Sequence, residues 1–189
     1  GGHWSPGSIP EFVDVPLKET VYWTMPQHTS PNDKDEINSS GAYGFVFDFC
    51  GIEIDKITGK VIIDKYVTSH DAGNILHPEM ANGQIYGGFA QAVGAALFEE
   101  FKYSDNGDFL SATFADYLVP TINEIPELQI IHTHTPSPFT PLGSKGLGEG
   151  NSMSTPVCIA NAIADAIESE NIDLPMTPPK IIDLISEIK

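Results

Sequence analysis

Between Asn82 and Tyr103 the chain sets two demands against each other. Ile85, Phe89, Val93, Leu97 and Phe101 recur at every fourth position and form one apolar helical stripe. The same stretch holds Gly83, Gly87, Gly88 and Gly94. A glycine costs a helix up to about 1 kcal/mol relative to alanine, so a helix that keeps four of them gains something elsewhere. A missing side chain lets backbone come close to a ligand or to another chain, and the glycines are read that way here. The fold must therefore seat the stripe in a core and leave the glycines against a neighbour.

The flanking segments say what that core is made of. Phe45, Phe47 and Phe49 alternate, followed by Ile52 and Ile54, which is the spacing of a strand. Lys56-Ile57-Thr58-Gly59 is a turn signal and Val61-Ile62-Ile63 starts a returning strand, so a β-hairpin is expected. His70 to Asn74 ends it as a polar, glycine-containing loop. Leu128, Ile130 and His132 alternate within Glu127–His134 as a further strand. Gly143 to Gly150 is a glycine-rich loop running into a second helix. Ser154 or Thr155 is expected to cap that helix, with Pro156 in its first turn and Ile159, Ile163 and Ile167 as its stripe. A short last helix is expected over Ile181–Ile188. This mixture predicts an α+β module over 42–189: a β-hairpin and mixed strands packed with glycine-rich helices. Residues 1–41 show no periodicity yet carry Trp4, Phe12, Val13, Tyr22 and Trp23, and read as an extended arm packing on a partner.

Charge narrows the chemistry. The net charge is −17, every basic residue is Lys, and Arg is absent. Nucleic acid is excluded as a partner, because phosphate neutralisation needs a basic surface. A bidentate Arg clamp on an anionic substrate is excluded from this chain too. No apolar run reaches the roughly 18 residues of a membrane helix, so no membrane partner is expected. Cys50 and Cys158 stand far apart in sequence without a CxxC; they build neither an iron–sulfur nor a zinc site and read as buried apolar thiols. This cysteine usage points to a cytoplasmic location.

Two segments could carry chemistry. In Gly143-Ser144-Lys145-Gly146-Leu147-Gly148-Glu149-Gly150, small residues ahead of a helix expose N–H groups able to cradle an anion or a cofactor oxygen. The spacing is not that of a P-loop. Glu149 would suit general-base work if buried beside a cofactor, where its pKa would rise; composition alone favours a surface Glu capping the next helix. In Gly83-Gln84-Ile85-Tyr86-Gly87-Gly88, Gln84 can donate and accept at once, as holding an oxo group or a pterin edge requires, or it is an ordinary polar helix start. His132 and His134 share a strand face without a third ligand, and no metal set is read from them or from His70, His77 and Asp71. Asp71 beside Gly73 reads as a turn residue bonding local backbone.

Taken in order, these segments resemble the xanthine oxidase family of molybdenum hydroxylases. The likeness starts at Tyr43-Gly44-Phe45 and continues through Asp71-Ala72-Gly73 with Asn74 and Pro78, then Gly83-Gln84 with Gly88 and Gln91. Phe114-Ala115-Asp116-Tyr117-Leu118-Val119-Pro120-Thr121, Pro126 and Lys145-Gly146-Leu147-Gly148-Glu149 follow. Pro156, Ala160-Asn161-Ala162-Ile163, Asp165-Ala166 and Leu174-Pro175-Met176-Thr177-Pro178 close it. Each motif alone is weak; their order is not. The resemblance implies the C-terminal part of the molybdenum-hydroxylase large subunit, a catalyst incomplete alone. It implies Glu149 as the base for a molybdenum-bound hydroxide, so that water-derived oxygen reaches an N-heteroaromatic or aldehyde-type carbon. Gln84, Gly87, Gly88 and Gly148 are the implied contacts of a molybdenum–pterin cofactor, the cytosine dinucleotide form among those allowed. The metal is then held by the pterin, so no protein metal ligand is expected. A larger molybdenum-subunit polypeptide and chains or domains carrying iron–sulfur clusters and FAD are the implied partners. The alternative is a non-catalytic structural or assembly subunit that retains the fold.

Overall fold

The computed structural model describes residues 19–187. The element order is β1 (Phe45–Ile54), β2 (Val61–Asp71), α1 (Pro78–Leu97), β3 (Leu128–Thr133), α2 (Gly150–Ile167) and α3 (Pro178–Glu187). β1 and β2 form the expected hairpin, pairing Phe45 with Asp71 and Ile54 with Val61 across one bulge at Gly51/Ile52. Asp55 fixes its turn by accepting from the Ile57 amide at 2.8 Å and the Thr58 hydroxyl at 2.8 Å. β3 adds beside β2 in parallel, so the sheet is mixed and ordered β1-β2-β3, with α1 in the crossover. The α+β expectation holds.

One face of the sheet and the helices share the core. Tyr66, Ile85, Phe89, Val93, Leu128, Ile159, Ile163, Met176 and Ile181 are buried together, and the rings of Tyr66 and Phe89 lie 4.6 Å apart. Both predicted isoleucine and aliphatic stripes are therefore the buried ones, apart from Phe101, which is exposed. The opposite face is bare and apolar: Phe45, Phe47 and Phe49 are 64%, 62% and 60% exposed. Tyr22 and Trp23 of the arm are also exposed, while Trp4, Phe12 and Val13 lie outside the described residues.

Two helix boundaries differ from the sequence reading. α1 starts a turn earlier than Asn82, with Pro78 in its first turn and His77 as N-cap, whose Nδ1 accepts from the Met80 amide at 3.2 Å. It ends at Leu97, well before Tyr103. The Phe98 and Glu99 amides both return to the Gly94 carbonyl at 2.9 Å, and the chain turns away. Phe101 then packs on Phe109 and Tyr117 rather than on the core. α2 likewise starts at Gly150, with Glu149 as N-cap, so neither Ser154 nor Thr155 caps it and Pro156 lies inside it. The cause is Asn151, whose buried side chain is fixed on β2 and sets the helix going a full turn early.

The glycines of α1 have separate roles. A Cβ at Gly94 would strike this chain's own Glu99 carboxylate and stand 3.0 Å from Pro120. At Gly88 it would meet Asn151 and Ser152 of α2 at 3.6 Å. The close neighbour of these two positions is thus the chain itself, not another chain. Gly83 and Gly87 face open space.

Candidate functional site

The segment from Lys145 to Asn151 is an arch, and the end of β2 holds both of its feet. At the first foot Lys145 donates its amide to Ala72 O at 2.8 Å. Its ammonium reaches Asp71 at 3.4 Å and Thr135 Oγ1 at 2.5 Å, and lies 5.3 Å from the centre of the Phe45 ring. Both charged side chains are more than nine-tenths buried. Asp71 also accepts from the Gly73 amide at 2.9 Å, the Thr135 amide at 3.2 Å and the Thr135 hydroxyl. Burial pushes the Asp71 carboxyl up, but these donors and Lys145 outweigh it and hold it down at about 2. Gly73 sits at φ +63°, and a side chain there would run into the Gly143 carbonyl, so the turn needs glycine.

At the second foot, His70 and Asn151 share a 2.7 Å hydrogen bond between Nε2 and Oδ1, so His70 donates and is the Nε2–H tautomer. Asn151 Nδ2 donates to Thr68 Oγ1 at 3.1 Å. Asp48 then accepts from Thr68 at 2.5 Å and from Tyr66 at 2.8 Å. Burial lowers the His70 pKa below its ordinary value, against the Asn151 hydrogen bond, which raises it. An imidazole inside a satisfied network holds position.

Between these feet stand Gly146, Leu147, Gly148 and Glu149. Glu149 is exposed at the crown, and its side chain makes no capping hydrogen bond. A Cβ on Gly148 would lie 3.6 Å from Gln84 Oε1, so the loop and the α1 segment come together. Gly88 closes on the first turn of α2, and Gly87 is exposed beside it. A cavity of about 560 Å³ is lined by Tyr43, Gly146, Gly148, Glu149, Ser152 and Met153, among others. Ser152 Oγ is buried without any hydrogen-bond partner among the described residues. An orphaned hydroxyl on the first turn of an 18-residue helix, beside open glycines, suits an oxygen-rich anionic group. These residues fit a pterin–metal group bound through its own oxygen and amide edges.

Sequence reading did not find Ser152, the Asp71–Lys145–Thr135 cluster or the Asp48 network. Thr68 and His70, two residues apart in a strand, were the available signal for the last of these. His132 and His134 are structural: they bond Asn82 at 2.8 Å and Asn74 at 2.6 Å. Among the described residues no group of three or more His, Cys, Asp or Glu could hold a metal ion. Nor is any helix among them long and apolar enough to cross a membrane.

Residues 7–126 match the family described as the molybdopterin cofactor-binding domain. The chain belongs to this family. The match includes Gln84, Gly87 and Gly88 but ends before the Glu149 arch. Relatives extend the likeness over the rest. The nicotine 6-hydroxylase large subunit of Paenarthrobacter nicotinovorans is 38% identical over 183 residues, 95% of this chain and 21% of that protein. Quinoline 2-oxidoreductase from Pseudomonas putida 86 is 38% identical with a TM-score of 0.70, over 72% of this chain and 18% of that one. Aldehyde oxidoreductase from Desulfovibrio gigas is 29% identical with a TM-score of 0.77, over 87% and 18%. The expected membership of the xanthine oxidase family of molybdenum hydroxylases holds, and the chain spans about a fifth of the length of the relatives it matches.

Proposed function

We propose that this chain forms one wall of a molybdenum–pterin site in a hydroxylase or dehydrogenase that oxidises a small-molecule carbon centre, N-heteroaromatic or aldehyde in type, with oxygen derived from water. The observation that carries the proposal is that Gly148 and Glu149 line one cavity with the orphaned Ser152 hydroxyl, with Gly88 packed against Ser152 and Gln84 close to Gly148, in a chain of the molybdopterin-binding family. The bound group would supply a Lewis acid and a two-electron acceptor. The chain's own residues do the rest. Gln84 holds a cofactor oxygen or amide edge, Ser152 donates to a second, and Gly87, Gly88 and Gly148 let the backbone approach. Glu149 accepts a proton from a water-derived hydroxyl at its carboxylate, and the two feet of the arch keep that carboxylate in place.

The substrate class rests on relatives named for nicotine, quinoline and aldehyde chemistry. The cytosine dinucleotide form of the cofactor, a cytoplasmic location, and partner chains or domains bearing iron–sulfur clusters and FAD belong to the same proposal. So does a larger molybdenum-subunit polypeptide that covers the bare phenylalanine row and the arm. No observation favours the non-catalytic alternative.

Glu149→Gln in the full complex tests this reading. Molybdenum and pterin content should stay near wild type while the chemical step slows by a factor on the order of 10² or more, as for a lost general base. Turnover within a few-fold of wild type, with full cofactor content, would show that the base lies elsewhere.

A further inference from the structure

Cys50 and Cys158 are 108 positions apart in sequence (158 minus 50), yet α2 lies along β1 so that they meet. Gly150 sits against Val46, where a Cβ would be 2.7 Å from Val46 Cγ2. Further along, Thr155 Oγ1 donates to Asp48 Oδ2 at 3.3 Å. From Gly150 to Cys158 the helix advances about 12 Å at ~1.5 Å per residue. From Val46 to Cys50 the strand advances about 13 Å at ~3.3 Å per residue. The two elements thus arrive together at the cysteine pair. Both thiols are free and half-buried, and both line a cavity of about 700 Å³ with Asp48, Met153, Val157 and Asn161. The two thiols are near enough to act on each other's ionisation, and Tyr66, whose hydroxyl donates to Asp48 at 2.8 Å, lies beside them.

We propose that Cys50 and Cys158 are a redox-active dithiol that closes into a disulfide on reaction with a hydroperoxide. Cys158 is the attacking thiol: the neighbouring Cys50 thiol outweighs burial and holds its pKa below the ordinary thiol value. Cys50, through the neighbouring Cys158 and burial, is pushed up and stays protonated. The Asp48 carboxylate opposes ionisation of both. In the first step the Cys158 thiolate attacks a peroxide oxygen, the O–O bond breaks, and a sulfenic acid and hydroxide form. In the second, the Cys50 sulfur attacks the Cys158 sulfenyl sulfur, the S–O bond breaks, and water leaves with the Cys50 proton. Two thiols lose two electrons and two protons, and hydrogen peroxide is reduced to two waters. The product ties the middle of α2 to β1; a dithiol reductant reverses it. A second thiol lining the same cavity favours closure over further oxidation.

The proposal stands whether or not Glu149 is a base, and its test reads thiols rather than turnover. The full-length protein in its complex is titrated with hydrogen peroxide, alkylated with iodoacetamide and digested without reductant for peptide mass mapping. The expected product joins the Cys50 and Cys158 peptides, two hydrogens lighter than their sum, with loss of alkylation at both positions together and recovery with dithiothreitol. In Cys50→Ser, Cys158 should stop at a sulfenic acid that dimedone traps. The idea is overturned if wild-type Cys158 oxidises to sulfinic acid with Cys50 still alkylatable, if either cysteine joins a different partner, or if both remain alkylatable. The wild-type arm decides the matter even if the variant does not fold.

Discussion

The first foot of the arch makes a prediction that a count of salt bridges would not. Asp71 and Lys145 are both buried, and removing one partner of such a pair commonly costs about 3–5 kcal/mol because a charge is left uncompensated. The two partners are not equally dependent on each other. Without Lys145, Asp71 keeps the Gly73 amide at 2.9 Å, the Thr135 amide at 3.2 Å and the Thr135 hydroxyl, and loses only a long 3.4 Å contact. Lys145→Met, which also retains the apolar stem, should cost about 1–2 kcal/mol, less than the ~1.5–3 kcal/mol of a full hydrogen bond to a charged group because the contact is long. Without the Asp71 charge, Lys145 keeps one oxygen, Thr135 Oγ1, and the face of Phe45. A cation–π contact returns only about 0.5–1 kcal/mol, so Asp71→Asn should cost about 3–4 kcal/mol. The difference, about 2 kcal/mol, is roughly a thirtyfold change in the folding equilibrium and can be read from paired urea unfolding curves. Equal costs, or a larger cost for Lys145→Met, would refute the picture of an aspartate held mainly by neutral donors.

Other outcomes follow from the same geometry. Asp71 titrates at about 2 in the fold against 3.8 when unperturbed, a depressed pKa, so its stabilisation is fully present above 3.8 and is lost as pH falls through 2. Acid titration of wild type and Asp71→Asn, followed by circular dichroism, should converge over that window; parallel curves would mean the carboxylate carries no linkage. Gly94→Ala should destabilise by about 1–3 kcal/mol through the clash with Glu99 and Pro120, whereas Gly88→Ala, meeting α2 at 3.6 Å, should be near neutral in thermal melts. A mild Gly94 variant would show that the turn after α1 yields. Gln84→Ala should weaken cofactor retention by about 1.5–3 kcal/mol with folding unchanged, checked by molybdenum content after dialysis. Full retention would make Gln84 a surface residue.

The sequence made the periodic elements readable because burial and repeat agreed in them. Alternation in Phe45–Ile54 gave the hairpin, and fourfold spacing gave the cores of α1 and α2. Their ends were misread where tertiary contacts override local signals. Asn151 starts α2 early by bonding residues far behind it in sequence, and Gly94 accepts two amides that end α1. Alternation also could not say which strand face is covered: Phe45, Phe47 and Phe49 carry the apolar signal, yet Asp48 and Cys50 point into the molecule. Of the candidate site, Gln84, Gly88, Gly148 and Glu149 came from motif order; in the structure Gln84 lies close to Gly148, and Gly88 packs on Asn151 and Ser152. Ser152 and the meeting of Cys50 with Cys158 had no local trace, because each depends on α2 lying along β1.

The two feet of the arch rest on neighbouring residues at the end of one strand, Asp71 and the adjoining Ala72 on one side and His70 on the other. That fixes the contour length of the span as strictly as its shape. A residue inserted between Lys145 and Asn151 cannot be absorbed by sliding either end, since slippage at one end would strand a buried ion pair and at the other a buried amide. It could only lift the crown, carrying Glu149 outward by up to the ~3.8 Å of one extra link. Natural variation in this stretch should therefore take the form of substitutions at constant length, and insertions should collect in the Ser104–Asp108 turn, which bears no such tether to the sheet.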